Sequence, residues 1–255
     1  MSRKIESAIQ KVKDTLSTWE SIDTITLIRM GKDLFEPYFF LSLDVYYQNP
    51  IPDLEERIDR FGEYAGAFEA SEISPKDRFF VDDIPFRVEY KNISRFNQII
   101  DGSSGFTPAF RDTGTYIFYR VLESEILLKR SEWLNDYRKK LSEISPEFWQ
   151  EIRNIFQTRM EHALSDLLAA SIQRDNLFYL VSSSAYIRSV CSVLFARNQR
   201  FEPSARMLMK ETLELPVLPE QFKGRFDSFL RNDGGIDIER RSEIAELLAK
   251  SILGL

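Results

Sequence analysis

Two acidic residues interrupt otherwise apolar, strand-like segments of this chain. Asp44 lies in Tyr38-Phe-Phe-Leu-Ser-Leu-Asp-Val-Tyr-Tyr47, and Glu89 lies in Pro85-Phe-Arg-Val-Glu-Tyr-Lys91. Because an ionised carboxylate loses solvation energy on burial, it seldom occupies an apolar strand without a partner. If the two strands pair, the acids lie side by side and could hold a divalent cation against a phosphate group. Asp44 and Glu89 are therefore the predicted catalytic and metal-binding residues.

A second interpretation of Asp44 stays open at this stage. In a half-buried strand, apolar residues on one face alternate with polar residues that face solvent on the other. On this interpretation Asp44 is a solvated residue on the polar face of its strand and has no chemical role.

The surrounding pattern predicts an α+β protein with an N-terminal mixed β-sheet domain and an α-helical bundle domain. The predicted boundary gives residues 1–115 to the first domain and residues 116–255 to the second. β-Branched and aromatic residues alternate in 24–29, 38–47 and 85–91. This alternation predicts three neighbouring strands of one sheet.

The other elements follow from helical spacing and turn residues. Apolar residues three and four apart predict helices, at residues 3–20, 54–68, 131–142, 146–174, 176–199, 203–212, 219–231 and 239–252. Residues 77–91 form a predicted hairpin that turns at Asp82-Asp83. Residues 101–115 are rich in Gly, Ser and Thr, which predicts a loop.

Composition narrows the class of function. The net charge is −6 and no basic stripe is present, which argues against an extended nucleic-acid partner but not against a small basic patch. Cys191 and His162 are single, which excludes an internal disulfide and a multi-histidine metal site. Neither a signal segment nor an apolar run of membrane-spanning length is apparent, so we expect a soluble, cytoplasmic protein without a membrane partner.

The order of the elements resembles that of the DNA polymerase beta-like nucleotidyltransferase superfamily. That family has a Gly-Ser turn after its first strand, an Asp-x-Asp pair on the next strand, and a third acid on a later strand. Here Gly31-Lys32 stands at the turn, Ser42-Leu43-Asp44 at the pair, and Glu89 at the third acid. The resemblance implies Mg²⁺ on Asp44 and Glu89, a nucleoside triphosphate held with Gly31, Lys32 and Ser42, and an acceptor hydroxyl.

Two departures from the family pattern weaken this expectation. Ser42 replaces the first metal-binding acid, and a hydroxyl is a weak neutral ligand for Mg²⁺. Lys32 replaces the phosphate-contacting Ser, although its ammonium could still contact a phosphate as a point charge. A substitute acid would have to come from Asp33, Asp82 or Asp83. Two-metal catalysis is therefore in doubt.

A second resemblance lies in the helical half. Leu194-Phe-Ala-Arg-Asn-Gln-Arg-Phe-Glu-Pro203, followed by the basic Arg206, resembles the helical domain of a bacterial nucleotidyltransferase-like group. Asn198 and Arg206 are accordingly candidate nucleotide-binding residues, since the Arg fork suits phosphate. The structural alternatives are that Asn198 caps the end of a helix and that Arg206 forms a surface ion pair with Glu202 or another charged neighbour.

Three functions follow as hypotheses. The first is Mg²⁺-dependent transfer of a nucleotidyl group from a nucleoside triphosphate to an unidentified small-molecule or protein acceptor. The second is a catalytically degraded protein that binds a nucleotide or a partner without transfer. The third is an interaction module whose helical half forms a homodimer. The sequence ranks the fold above any activity, because a fold does not fix a function.

Overall fold

A computed structural model of the protein describes residues 3–30, 39–71, 75–100, 114–231 and 235–254. The chain divides into two compact units. The first, here called the sheet unit, comprises Met1–Gly105 and Arg120–Glu143. The second, here called the helical unit, comprises Phe106–Tyr119 and Ile144–Leu255.

The sheet unit is built on a mixed sheet that confirms the α+β class. Its strands are β1 (Ile22–Met30), β2 (Phe40–Tyr47), β3 (Gly66–Ala70), β4 (Lys76–Val81), β5 (Ile84–Asn92) and β6 (Glu125–Lys129). Within the described ranges they form one six-stranded sheet in the order β3-β4-β5-β2-β1-β6. The β2–β5 pair is parallel and the other pairs are antiparallel. The three predicted strands are the adjacent β1, β2 and β5, which confirms that they are neighbours.

Strand β6 follows the predicted domain boundary at residue 115 yet pairs with β1. Residues 120–143 accordingly belong to the sheet unit. The assignment of residues 1–115 and 116–255 to two separate domains stays a prediction.

One face of the sheet carries the apolar core of its unit. Helix α1 (Arg3–Ser17) covers this face with residues spaced three and four apart, namely Ile5, Ala8, Ile9, Val12 and Leu16. Alternate residues of β2 point into the same core, among them Leu41, Leu43 and Val45. The opposite face of β2 therefore carries Ser42, Asp44 and Tyr46, because successive strand residues point to opposite sides.

The predicted hairpin is present and turns at the expected residues. Asp82 and Asp83 join β4 to β5 with φ values of 49° and 66°. A two-residue hairpin turn of type I′ needs positive φ at both positions, and aspartate tolerates this conformation.

The predicted helix over 54–68 is wrong in its second half. Helix α2 (Leu54–Gly62) begins after the N-cap Asp53 and ends at Gly62, and residues 66–70 form the edge strand β3. Phe68 on β3 stacks with Phe61 and Phe79 at ring centroid distances of 5.5 Å. This ring cluster outweighs the helical spacing, because burying aromatic area contributes more than local propensity.

Along the chain, three further helices follow the hairpin and precede the long helices of the helical unit. They are α3 (Ile93–Ile100), α4 (Tyr116–Glu123) and α5 (Trp133–Ser142). Helix α3 was not predicted, and α5 confirms the helix predicted at 131–142. Most of the predicted 101–115 loop lies outside the described residues.

The helical unit contains the remaining predicted helices. They are α6 (Pro146–Gln173), α7 (Asn176–Arg197), α8 (Ala205–Leu213), α9 (Phe222–Leu230) and α10 (Ile238–Leu253). Ser145 caps α6 with Pro146 at its first turn, and Asp175 caps α7. Arg174 takes the left-handed conformation that ends α6. Helices α6 and α7 therefore form an αα-hairpin with a two-residue link.

Helix α7 corrects the expectation that no apolar segment reaches membrane-spanning length. It has 22 residues and a mean hydropathy of 1.4 over its most apolar window, of which 44% is buried inside the protein. Core helices of soluble proteins share these properties. Its N-terminal turns and the end of α6 expose large apolar side chains at the hairpin tip, namely Ile172, Leu177, Phe178, Leu180 and Val181. A cytoplasmic location stays a prediction from sequence.

The adjacent Phe79 and Phe80 provide a test of the sheet orientation. Phe79 is 2% exposed in the ring cluster, whereas Phe80 on the other face of β4 is 47% exposed. We expect Phe79→Ala to lower the free energy of unfolding by about 3–5 kcal/mol. The matched Phe80→Ala change should cost no more than ~1 kcal/mol. Urea denaturation of both variants measures the difference, and equal losses would contradict the assigned core face.

Candidate functional site

The structure brings the two predicted acids together. Asp44 on β2 is the register partner of Glu89 on β5 in the parallel pair. Register partners on neighbouring strands project to the same face of a sheet. The prediction that the two carboxylates share one face is therefore correct.

Asp44, however, is enclosed by two cationic side chains. Arg120 donates from Nε to Asp44 Oδ2 at 2.7 Å and from Nη2 to Oδ1 at 2.6 Å. The Lys91 ammonium lies 2.7 Å from Oδ2. Asp44 itself is 1% exposed. The solvated-residue interpretation of Asp44 is therefore wrong, and both of its oxygens are engaged by protein donors.

Ser42 and Glu89 border this ion cluster of Asp44, Lys91 and Arg120. The Ser42 hydroxyl accepts a hydrogen bond of 2.8 Å from Arg120 Nη2. The Glu89 side chain is 31% exposed and forms an ion pair of 3.2 Å with Lys76. Ser42 thus serves as a neutral acceptor for the guanidinium, whereas Glu89 is balanced by a separate lysine.

Neighbouring secondary structure fixes the two cations. Lys91 lies two residues after Glu89 on β5, so the two side chains share a strand face. Arg120 lies in the apolar helix α4, and Arg138 of α5 donates hydrogen bonds to the carbonyls of Val121 (2.8 Å) and Ser124 (2.5 Å) at the end of that helix. The guanidinium is therefore presented to the sheet by a helix whose end is itself anchored.

An aromatic cluster surrounds the ion cluster on the same side of the sheet. Tyr46 packs against Phe96 and Trp133 at centroid distances of 5.4 and 5.0 Å. Trp133 also contacts Tyr137 at 5.3 Å. These rings exclude water, so the charges interact more strongly than they would at the surface.

Burial and charge set the ionisation of the cluster in opposite directions. Burial alone would raise the pKa of Asp44, but Lys91 and Arg120 together hold that pKa below its ordinary value. Burial lowers the pKa of the Lys91 ammonium, and Asp44 opposes that effect. Burial and the neighbouring Asp44 raise the pKa of Tyr46 well above its usual value. Tyr46 is therefore neutral, and Asp44 carries the negative charge.

This donor set does not fit Mg²⁺. Magnesium needs oxygen ligands with free lone pairs in near-octahedral arrangement, whereas three N–H donors occupy the oxygens of Asp44. In the described ranges, no group of three or more His, Cys, Asp or Glu side chains is arranged to hold a metal ion. The guanidinium and ammonium supply the positive charge that a metal ion would bring.

None of the three suggested substitute acids is found beside Asp44 in the described part of the chain. Asp82 and Asp83 sit at the hairpin turn, where they pair with Lys11 at 3.1 Å and Lys4 at 3.6 Å of α1. Asp33 lies outside the described residues, as do the predicted phosphate-binding Gly31 and Lys32.

The two candidates in the helical half have different environments. Asn198 donates from Nδ2 to the carbonyls of Leu194 (2.8 Å) and Val217 (2.9 Å), and its Oδ1 accepts from the Val217 N–H at 2.8 Å. It therefore joins the end of α7 to the segment after α8, in agreement with the capping alternative. Arg206 is exposed in the first turn of α8.

Sequence reasoning missed Lys91, Arg120 and Glu202 as site residues. A local feature accompanies each: Lys91 shares the strand period of Glu89, Arg120 interrupts the apolar run Tyr116–Leu122, and Glu202 directly precedes Pro203. Glu202 is 5% exposed and accepts hydrogen bonds from the Thr115 N–H at 3.0 Å and from the Ser192 hydroxyl. It anchors residue 115 to α7.

Replacement of Asp44 tests the ion cluster. Asp44→Asn keeps the side-chain shape but leaves two buried cations without a counter-charge, so we expect unfolding free energy to fall by about 3–5 kcal/mol. Glu89→Gln is the matched control, because its partly exposed ion pair should contribute no more than ~1 kcal/mol. Chemical denaturation measures both, and an Asp44→Asn variant as stable as wild type would show that the cluster is not ionised.

The same pair of proteins predicts an acid-dependent effect. Because the folded-state pKa of Asp44 is below its ordinary value of 3.8, the carboxylate stabilises the fold above that value and ceases to do so as the pH falls through the folded-state pKa. The stability difference between wild type and Asp44→Asn should be constant between pH ~7 and ~5 and narrow below pH ~4. Urea titrations over this range measure it, and a difference that widens in acid would contradict the assignment.

Known sequences and solved structures were compared with this chain, and the match among solved structures is consistent with the α+β fold. No protein-family model and no curated protein sequence matches the chain. Among solved structures, the crystal structure of a nucleotidyltransferase-like protein from Exiguobacterium sibiricum is similar, with a TM-score of 0.50 and 9% sequence identity. The match covers 98% of this chain and 74% of that chain. At this identity the likeness concerns the fold alone, and the chain has a nucleotidyltransferase-like α+β fold.

Proposed function

We propose that this protein is a catalytically degraded nucleotidyltransferase-like protein, which binds a nucleotide or a partner without Mg²⁺-dependent nucleotidyl transfer. The observation that carries the proposal is the ion cluster. Arg120 and Lys91 donate to both oxygens of Asp44, at the position where the family resemblance requires a metal ligand. Ser42, at the position of the other acid of the pair, is likewise bonded to Arg120.

The energetics of the cluster support this proposal. A metal ion could bind Asp44 only after Arg120 and Lys91 were displaced, which would leave two cations beside it. Separating a buried carboxylate from its partners costs several kcal/mol. Like charges around the incoming Mg²⁺ would add repulsion in a low-dielectric environment. Metal binding at this position would therefore need to overcome the interactions that hold β2, β5 and α4 together.

Mg²⁺-dependent transfer from a nucleoside triphosphate is the second candidate, and one observation favours it. Asp44 and Glu89 are register partners on parallel strands, which is the arrangement a shared metal ion would use. For this candidate, Mg²⁺, the triphosphate and the acceptor are all proposals. The two candidates differ in whether metal binding depends on Glu89, whose replacement should leave the fold intact.

Calorimetry and a transfer assay distinguish the two candidates. In the transfer assay with nucleoside triphosphate and Mg²⁺ or Mn²⁺, we expect the protein to release no pyrophosphate above background. In calorimetry, we expect the metal ion to bind wild type and Glu89→Gln with equal affinity. Ser42→Asp should not increase Mg²⁺ affinity, because Arg120 would pair with the new carboxylate. Metal-dependent pyrophosphate release that Glu89→Gln abolishes would overturn the proposed function and establish the second candidate.

A further inference from the structure

The αα-hairpin of the helical unit contains an open groove that the proposed function has not used. This hairpin groove lies between α6 and α7 and has a volume of about 1030 Å³. Small-molecule sites in proteins typically have volumes of roughly 300–1,000 Å³. Small side chains on its α7 wall, including Ser184, Ala185 and Ser189, leave this space between the helices.

Three basic side chains line the hairpin groove without partners among the described residues. Arg159 and His162 lie three residues apart on α6, and Arg188 lies on α7. None of the three side chains forms a hydrogen bond or an ion pair within the described part of the chain. Two guanidinium groups in one groove suit phosphate, because each presents several N–H donors in a planar fork.

The remaining lining determines which kind of anion fits. Ile155 of α6 and Val181 of α7 provide apolar contact area. Asp166 also lines the groove and is likewise unpaired within the described ranges, so its carboxylate can accept hydrogen bonds from ligand hydroxyls. Arg159 and Asp166 are separated by about 10 Å along the helix axis, which is within the length of a nucleoside triphosphate.

Hydrogen bonds within the protein fix one part of the hairpin groove lining. The Glu202 carboxylate there is held by Thr115 and by Ser192, so it is committed to the protein. Gly114 lies beside it with φ of 69°, and a Cβ at this position would approach Glu202 Oε2 to 2.8 Å. The loop can pass this close only because residue 114 is glycine. Gly114 and Glu202 therefore form a fixed part of the groove lining.

We propose that the hairpin groove binds an organic phosphate of nucleotide size. Arg159 and Arg188 hold the phosphate groups, with His162 beside them. Asp166 accepts hydrogen bonds from sugar hydroxyls, and the apolar wall at Val181 contacts the base. This site rests on the proposed function, which is nucleotide or partner binding without transfer. It names the ligand and places its binding outside the ion cluster of the sheet unit.

Calorimetric titration of the full chain with ATP, in buffer with chelator and no Mg²⁺, tests the site. We expect ATP to bind wild type. Arg159→Gln and Arg188→Gln should each weaken binding at least ~10-fold, because each change removes the charge-assisted hydrogen bonds of a guanidinium to phosphate. Arg174→Gln is the matched control: it removes the same charge from an exposed residue that lies between the two helices but outside the groove lining. Its affinity should equal that of wild type.

Two smaller probes separate the parts of the ligand. Adenosine should bind at least ~10-fold more weakly than ATP if the arginines recognise phosphate, and inorganic pyrophosphate should be weaker by a similar factor if the apolar wall contributes. Equal affinity for adenosine would overturn the phosphate assignment. Equal affinity for pyrophosphate would overturn the assignment of a nucleotide body. Absence of ATP binding to wild type would overturn the site.

The outcomes also distinguish this site from the proposed function. If ATP binds without metal but Arg159→Gln and Arg188→Gln have no effect, the hairpin groove is wrong and the proposed function stands. If ATP binding requires Mg²⁺, is lost in Glu89→Gln and is accompanied by pyrophosphate release, the proposed function fails together with the groove. Thermal melting of each variant confirms that the exposed substitutions leave the fold unchanged.

Discussion

The buried ion cluster of Asp44, Lys91 and Arg120 is the interaction on which the sheet unit depends. It joins β2, β5 and α4, whose residues are far apart in the chain. Buried ion pairs often contribute little net stability relative to apolar packing, yet removal of one partner is costly because the others remain charged and unsolvated. Once Asp44 occupies β2, the chain must therefore bring both cations to it. The cluster in this way selects which helix covers this face of the sheet.

The same cluster also determines how the charge of Asp44 is balanced. Asp44 and Glu89 are register partners on β2 and β5, so two carboxylates lie on neighbouring strands of the sheet. One guanidinium and one ammonium balance the charge of Asp44. Charge balance is thus achieved within the protein, and the aromatic cluster around Tyr46 encloses it. Asp44 thus connects separate elements of the sheet unit, and the fold by itself does not fix a function.

The helical unit contains both a buried carboxylate with hydrogen-bond partners and arginine side chains without partners in the described ranges. Glu202 is buried and fully engaged with Thr115 and Ser192, so the loop at residue 115 is firmly attached to α7. The neighbouring hairpin groove instead keeps Arg159 and Arg188 without partners in the described ranges. Binding pockets combine apolar surface with a few polar or charged groups. This combination is the reason why the proposed ligand site is placed in the helical unit.

The sequence by itself determined the local elements and part of the site. Period-two alternation located β1, β2 and β5, turn chemistry located the hairpin at Asp82-Asp83, and helical spacing located α5 to α10 to within a few residues, because these features depend on near neighbours in the chain. Tertiary structure alone decided the rest. It ended α2 at Gly62, since the ring cluster of Phe61, Phe68 and Phe79 needs a strand there. It also decided the state of Asp44, because Arg120 is 76 residues away and no local period encodes such a contact.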